Sequence, residues 1–225
     1  MKPMTDKHLA ILRRHMVDVI GIHADLLDEE LGKAAFDQRV LKAMSCIPRH
    51  LFVPEPLAHR AYEDRPLPIG FEKTISQPFI CALMADLLAL EPQDIVLEVG
   101  TGLGYQTAIL AGLASHVWSV EIVEEFADGA QLRLGHLGYN NVDIRVGDGS
   151  RGWPDHAPYD KIIVTAAAET VPPALLKQLN PHGRLVMPLG QTDAQQLTLL
   201  EKDADDSVRS QAVLSVRFTQ LETVV

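Results

Sequence analysis

The run IVLEVGTGLGY at residues 95–105 decides how the rest of this sequence is read. Four of its first five residues are aliphatic, the chain then passes through Gly100, Gly102 and Gly104, and Tyr105 opens a stretch of helical periodicity. An apolar strand that enters a glycine turn and then a helix brings backbone amides and a helix N-terminus up to a ligand. The spacing Gly100-x-Gly102-x-Gly104 departs from the GxGxxG of a dinucleotide site, and Glu98 stands just ahead of the turn. A carboxylate there repels a pyrophosphate but accepts hydrogen bonds, directly or through water, from an amino group. A zwitterionic ligand is therefore favoured over a phosphorylated one.

Downstream, Glu121 lies near the end of the strand-like run HVWSVEI, about twenty residues beyond the turn, where a carboxylate takes the hydroxyls of a ribose. Gly147-Asp148-Gly149 closes the run VDIRV, and its carboxylate is placed to accept an adenine amino group. An amino acid, a ribose and an adenine, each met by a carboxylate at the C-terminal ends of neighbouring strands, describe S-adenosyl-L-methionine. Thr101 and Gly149 belong to these turns, and with Thr165 at the end of the run IIVT they complete the expected cofactor site.

The pattern around this run alternates between helix and strand. Strands are expected at 95–99, 116–122, 142–147, 159–166 and 183–190, with helices at 79–90, 105–114, 123–138 and 171–179. That alternation predicts an α/β fold, a doubly wound, mostly parallel Rossmann-like sheet. Runs 195–203 and 208–218 follow each other without a helix and predict an antiparallel edge near the C-terminus. Residues 5–45 read as helices: Thr5 or Asp6 caps the first, with Leu9, Leu12, Met16, Val19 and Ile20 at helical spacing, and a second begins at about Lys33 with Phe36, Val40, Leu41 and Met44 on one side. Pro48, Pro54, Pro56, Pro66 and Pro68 then lead into an expected irregular loop at 64–78. A single domain over 1–225 is expected, with helices and active-site loop at 1–78 and the cofactor-binding core at 79–225.

The 225 residues carry 20 basic and 30 acidic side chains, net −10, which disfavours nucleic acid as a partner. No apolar run is long enough to span a membrane, and the N-terminal stretch has no leader-like apolar core, so a cytoplasmic protein is expected. Cys46 and Cys81 lack metal-ligand or disulfide spacing and read as two buried free thiols, with no metal implied.

Enzymes that methylate nucleic-acid nitrogens place an [ND]PP[YF] motif after the fourth strand. Here that position reads Thr165-Ala166-Ala167-Ala168, with no His or Asp following as a general base. The acceptor is then one that needs no deprotonation, such as a carboxylate with an ordinary pKa of roughly 4. Catalysis rests on alignment and desolvation for in-line displacement at the methyl group.

The runs LPIG at 67–70, TISQP at 74–78, VLEVGTGLGYQTAILA at 96–111, GDG at 147–149 and IIVTAA at 162–167 resemble, in order, the protein-L-isoaspartate O-methyltransferase family, and the resemblance extends from about Ile47 to Phe218. TISQP is its specific element. The resemblance implies methyl transfer from S-adenosyl-L-methionine to the free carboxyl of L-isoaspartyl residues in damaged proteins, with D-aspartyl residues as poorer substrates and repair through a succinimide. By position, Ser76 is the active-site serine that orients the acceptor carboxylate by hydrogen bonding. Thr74 and Ile75 flank it on the substrate side, and Gln77, Pro78 and Phe79 belong to the wall over the cofactor. TISQP also reads as a helix start, with Ser76 near an N-cap and Pro78 in the first turn. Glu72-Lys73 stands where many members have Gly-Gln, and Thr219-Gln220-Leu221 where many have Val-Pro-Leu. Two other readings stay open on the residues alone: a methyltransferase acting on a small-molecule oxygen or nitrogen, and a cofactor-binding protein without turnover.

Overall fold

Helix α1 (Asp6–Leu26) begins where Thr5 Oγ1 accepts the His8 amide, and it buries Leu9, Met16, Ile20 and Ala24, spaced by seven, four and four along a single stripe. The structure, a computed structural model, describes residues 5–32 and 35–224, and the chain divides after Asp86 into two compact units.

In the first unit α1 is followed by the single turn α2 (Asp28–Leu31) and by α3 (Gln38–Cys46). The expected start of the second helix at Lys33 lies outside the described residues. The regular part of α3 starts at Gln38 because Asp37 Oδ1 accepts the Arg39 amide at 2.7 Å, a side-chain cap just ahead of the helix. Cys46, expected to be buried, is exposed at the end of α3, whereas Cys81 is buried. The prolines at 48, 54 and 56 limit the next stretch to two 3-10 turns, Arg49–Phe52 and Glu55–Arg60.

The segment at 64–78 is more ordered than its prolines suggest. Strand β1 (Leu67–Gly70) pairs antiparallel with β2 (Lys73–Ile75) through a two-residue turn of Phe71 and Glu72. Both turn residues have positive φ, 50° and 56°, the geometry that joins twisted strands tightly and is ordinarily supplied by Asn-Gly. Neither residue carries that signal, so the hairpin is invisible to pattern reading. Pro78 then opens α4 (Pro78–Leu87), in the first turn, where a missing amide costs nothing.

The second unit runs β3 (Ile95–Val99), α5 (Tyr105–Ala111), β4 (His116–Glu121), α6 (Glu124–His136), β5 (Val142–Val146), β6 (Tyr159–Val164), α7 (Pro173–Gln178), β7 (Leu179–Gln191), β8 (Ala194–Lys202) and β9 (Val208–Val216). The seven strands order as β5-β4-β3-β6-β7-β8-β9. β3 pairs parallel with β4 and β6, β4 with β5, and β6 with β7, while β8 and β9 add two antiparallel pairings at the far edge. Both the doubly wound core and the antiparallel finish match the reading of the sequence. Leu97, Val99, Val120, Ile162, Val164, Leu185 and Met187 fill one continuous core, which explains why the parallel strands read as apolar runs rather than alternations. Strand order reverses at β3, and the crevice at the C-terminal end of such a strand is where open α/β sheets bind ligands.

Candidate active site

The glycine turn leaves β3 at that reversal. Gly100 has φ +92°, its amide donates to Val120 O at 2.8 Å, and a Cβ at this position would lie 2.3 Å from Thr165 Oγ1. Thr165, one of the expected cofactor-site residues, closes down on the turn: its hydroxyl donates to Gly100 O at 2.7 Å and its amide to Val99 O at 2.9 Å. Only glycine satisfies both the left-handed backbone and this contact. Gly102 donates its amide to Glu121 Oε2 at 2.7 Å, and Gly104, the N-cap of α5, bonds back to Thr101 O.

Behind the turn sits Glu98, 0% exposed. Two hydroxyls donate to its Oε2, Thr107 Oγ1 and Ser119 Oγ, each at 2.6 Å, and Thr101 Oγ1 stands 2.6 Å from Ser119 Oγ. With Ser119 donating to Glu98, Thr101 must donate to Ser119, so the chain of hydroxyls polarises towards the carboxylate. Among the described residues Oε1 has no donor. Burial pushes the Glu98 carboxyl up to about 8; the two hydroxyls work against that rise and the charge of Glu121 adds to it. A buried carboxyl oxygen with no donor is costly unless a ligand supplies one. The amino group of S-adenosyl-L-methionine is such a donor, and the site fits that cofactor on this observation.

Glu121, 5% exposed, accepts three backbone amides: Gly102 on Oε2, and Ile122 at 2.9 Å and Val123 at 3.0 Å on Oε1. A carboxylate has about four acceptor positions, so one remains for a ribose hydroxyl. Asp148 caps the 3-10 turn Gly149–Arg151 through Ser150 and also accepts the Val224 amide at 3.2 Å. Burial works to raise its pKa, but the Ser150 and Val224 donors and the Arg151 charge prevail and hold it below the usual aspartate range. Gly149 presses on the end of β3, a Cβ there falling 2.3 Å from Val99 Cγ1. The C-terminal segment reaches this rim by way of Ala167, which exchanges backbone bonds with Thr219 and Leu221.

The second unit therefore brings Glu98, Gly100, Thr101, Gly102, Gly104, Glu121 and Thr165 into one hydrogen-bonded assembly, with Asp148 and Gly149 one turn away. Thr107 and Ser119, which no motif pointed to, complete it. A serine set between Val117-Trp118 and Val120 in the strand HVWSVE was the available signal.

The acceptor loop belongs to the first unit. Thr74 and Ile75 end β2, Thr74 exposed and Ile75 buried, and Ser76 and Gln77 follow half-buried. The expected serine cap of α4 is replaced: the Phe79 amide donates to Asp64 Oδ1 at 2.8 Å, and Gln77 Nε2 donates to Asp64 Oδ2 at 3.0 Å. The Ser76 carbonyl accepts Arg49 Nη2 at 2.7 Å, and no protein group among the described residues is bonded to the Ser76 hydroxyl. Its main chain is fixed and its Oγ is left for something else.

A family model for protein-L-isoaspartate(D-aspartate) O-methyltransferase matches residues 23–224. The chain belongs to this family. A relative in Polaromonas sp. strain JS666, protein-L-isoaspartate O-methyltransferase 1, is 54% identical over 219 residues, covering 97% of this chain and 93% of the relative. Among solved structures, a protein-L-isoaspartate O-methyltransferase superposes with TM-score 0.79 at 29% identity, covering 92% of this chain and 65% of that longer one. A Plasmodium falciparum structure described as a beta-aspartate methyltransferase, in complex with S-adenosyl-L-homocysteine, shares the fold at TM-score 0.77 and 20% identity, covering 94% of this chain and 99% of that one.

Proposed function

We propose that this protein uses S-adenosyl-L-methionine to methylate the free carboxyl of L-isoaspartyl residues, and more slowly of D-aspartyl residues, in damaged proteins. Family membership supports the reaction, and the single observation that carries the site is the unpaired Ser76 hydroxyl on an otherwise fixed loop. The cofactor supplies an electrophilic methyl group on a sulfonium. Glu98 and Glu121 hold its amino group and ribose, Asp148 and Gly149 lie at its adenine end, and Gln77, Pro78 and Phe79 are the wall residues that the family resemblance implies.

Ser76 donates a hydrogen bond to one oxygen of the acceptor carboxylate, while Thr74 and Ile75 line its approach. The other oxygen then faces the methyl carbon; a C–O bond forms as the C–S bond breaks, and the electron pair leaves on sulfur. No proton moves, which accords with the absence of a base at Thr165-Ala166-Ala167-Ala168. In the methyl ester the next backbone amide nitrogen displaces methanol to give a succinimide, and hydrolysis of that ring restores a normal aspartyl linkage in part of the product.

The test is transfer of label from methyl-labelled cofactor to an isoaspartyl peptide beside its aspartyl twin. Strong preference for the isoaspartyl form is expected, and equal labelling would refute the reading. Ser76→Ala should lower kcat by tenfold to about a hundredfold, the range for losing a hydrogen bond of about 1.5–3 kcal/mol to a charged group. Cofactor affinity should stay within about threefold of wild type, so calorimetric loss of cofactor binding with normal turnover at saturation would contradict the assignment.

The protein is read as cytoplasmic. Neither cysteine is in a disulfide, in keeping with a reducing compartment, and no helix among the described residues is long and apolar enough to cross a membrane. The net charge of −10 argues for protein rather than nucleic-acid substrates.

A further inference from the structure

Two charged side chains grip the run 76–79 from elsewhere in the chain, and the reaction above uses neither. Arg49 is 0% exposed. Its Nε donates to Ala61 O at 2.8 Å and its Nη2 to Ser76 O at 2.7 Å, so one planar guanidinium ties the end of the second 3-10 turn to the serine. Asp64, its side chain 9% exposed, holds the Phe79 amide with Oδ1 and Gln77 Nε2 with Oδ2, and His23 Nδ1 stands 2.8 Å from the same Oδ2.

Removing a guanidinium from water costs several kcal/mol, and an apolar side chain of similar volume fills such a place without that cost. What an apolar residue cannot do is fix a carbonyl's direction. Charge-assisted bonds from a rigid fork do this well. Because the peptide unit is planar, holding Ser76 O fixes ψ of Ser76. The serine's main chain is then oriented, and its hydroxyl swings only about χ1.

We infer that Arg49 and Asp64 are positioning residues with separate duties: Arg49 orients Ser76 towards the acceptor carboxylate, and Asp64 orients Gln77 and the start of α4 towards the cofactor. The inference rests on the reading of Ser76 as the acceptor's ligand. In Arg49→Lys the charge survives but a single ammonium cannot reproduce the two-pronged hold. In Asp64→Asn the amide offers one oxygen where the carboxylate offered two, so the Phe79 and Gln77 donors no longer both have an acceptor and the Gln77 contact survives only if its own amide turns over to accept.

Three measurements on the full chain decide the matter: steady-state kinetics on an isoaspartyl peptide, calorimetric titration with S-adenosyl-L-methionine, and hydrogen exchange over residues 74–81. Arg49→Lys is expected to lower kcat by about tenfold to a hundredfold, as a displacement of about 1 Å does. Its cofactor Kd should stay within about threefold of wild type, with faster exchange over 74–81. Asp64→Asn is expected to raise the cofactor Kd by about tenfold, with kcat at saturating cofactor nearly unchanged. Faster exchange with wild-type kcat in Arg49→Lys would overturn the inference, as would kcat and cofactor affinity falling together in both variants in step with thermal stability, the mark of a merely structural role. If Arg49→Lys loses its helical circular dichroism, Asp64→Asn decides alone, and a loosened loop with unchanged Kd overturns the inference. A wild-type protein that labels no isoaspartyl peptide fails the reading of Ser76 instead; the exchange and titration results still report on the two grips, so the two failures are told apart.

Discussion

Glu98→Gln is expected to make the cofactor-free protein more stable above neutral pH while weakening S-adenosyl-L-methionine binding by at least about tenfold. Both effects come from one buried carboxyl. Desolvation holds Glu98 up to about 8 against an ordinary value of 4.5, despite the opposing hydroxyls of Ser119 and Thr107. Between those values the folded protein keeps a proton that the unfolded chain has released. Stability therefore falls as pH rises, by about 1.4 kcal/mol per pH unit from this group, and levels off above pH 8. Glutamine mimics the protonated form and removes that slope. Urea midpoints at pH 5.5 and 7.5 measure it, and equal pH-dependence in the two proteins would defeat the argument. Binding has the opposite sign. An ammonium at Oε1 favours the carboxylate, so the cofactor expels the proton. Wild-type affinity should rise with pH between about 6 and 7.5, by up to tenfold per unit, while the glutamine variant binds weakly and with little pH-dependence. Calorimetry in buffers of different ionisation enthalpy counts the released proton directly.

Gly100→Ala is expected to lower cofactor affinity by about a hundredfold or more and to cost several degrees of Tm. Two penalties coincide there. At φ +92° a side chain strains the backbone by about 1–2 kcal/mol. The new Cβ would also stand 2.3 Å from Thr165 Oγ1, which is itself bonded to Gly100 O. Relief requires the turn to move, carrying with it the Gly102 amide that Glu121 holds. The double variant Gly100→Ala/Thr165→Ala separates the penalties. It removes the hydroxyl and leaves Thr165 Cβ as the nearest neighbour at 3.6 Å, so only the backbone strain persists. Partial recovery of affinity is the expected result, and no recovery at all would mean that strain alone accounts for the loss.

The parallel sheet and its ligand edge were legible because they follow from periodicity: apolar runs of strand length separated by helical runs have one efficient packing. The carboxylates were legible as positions but not as states. Sequence placed Glu98 before the turn; it could not show that both hydroxyls fall on one oxygen and leave the other bare, since Thr107 and Ser119 converge only after α5 and β4 pack on β3. The hairpin at 67–75 escaped because its turn uses Phe71-Glu72, residues with no preference for the positive φ they adopt. The helix-cap reading of Ser76 failed for a related reason: the acceptor for the Phe79 amide is Asp64, fifteen residues away in the chain, and local rules see only near neighbours.

The pairing of β3 also fixes an order of events during synthesis. Its partner β4 arrives soon after it, but β6 and Thr165, which bonds to Val99 and Gly100, come 65 residues behind Gly100. Contacts of such separation form slowly because a long loop must close first. On the ribosome, a chain carrying the whole glycine turn still lacks the residue that locks it, so a nascent chain stopped before residue 165 has every glycine of the motif and no finished turn.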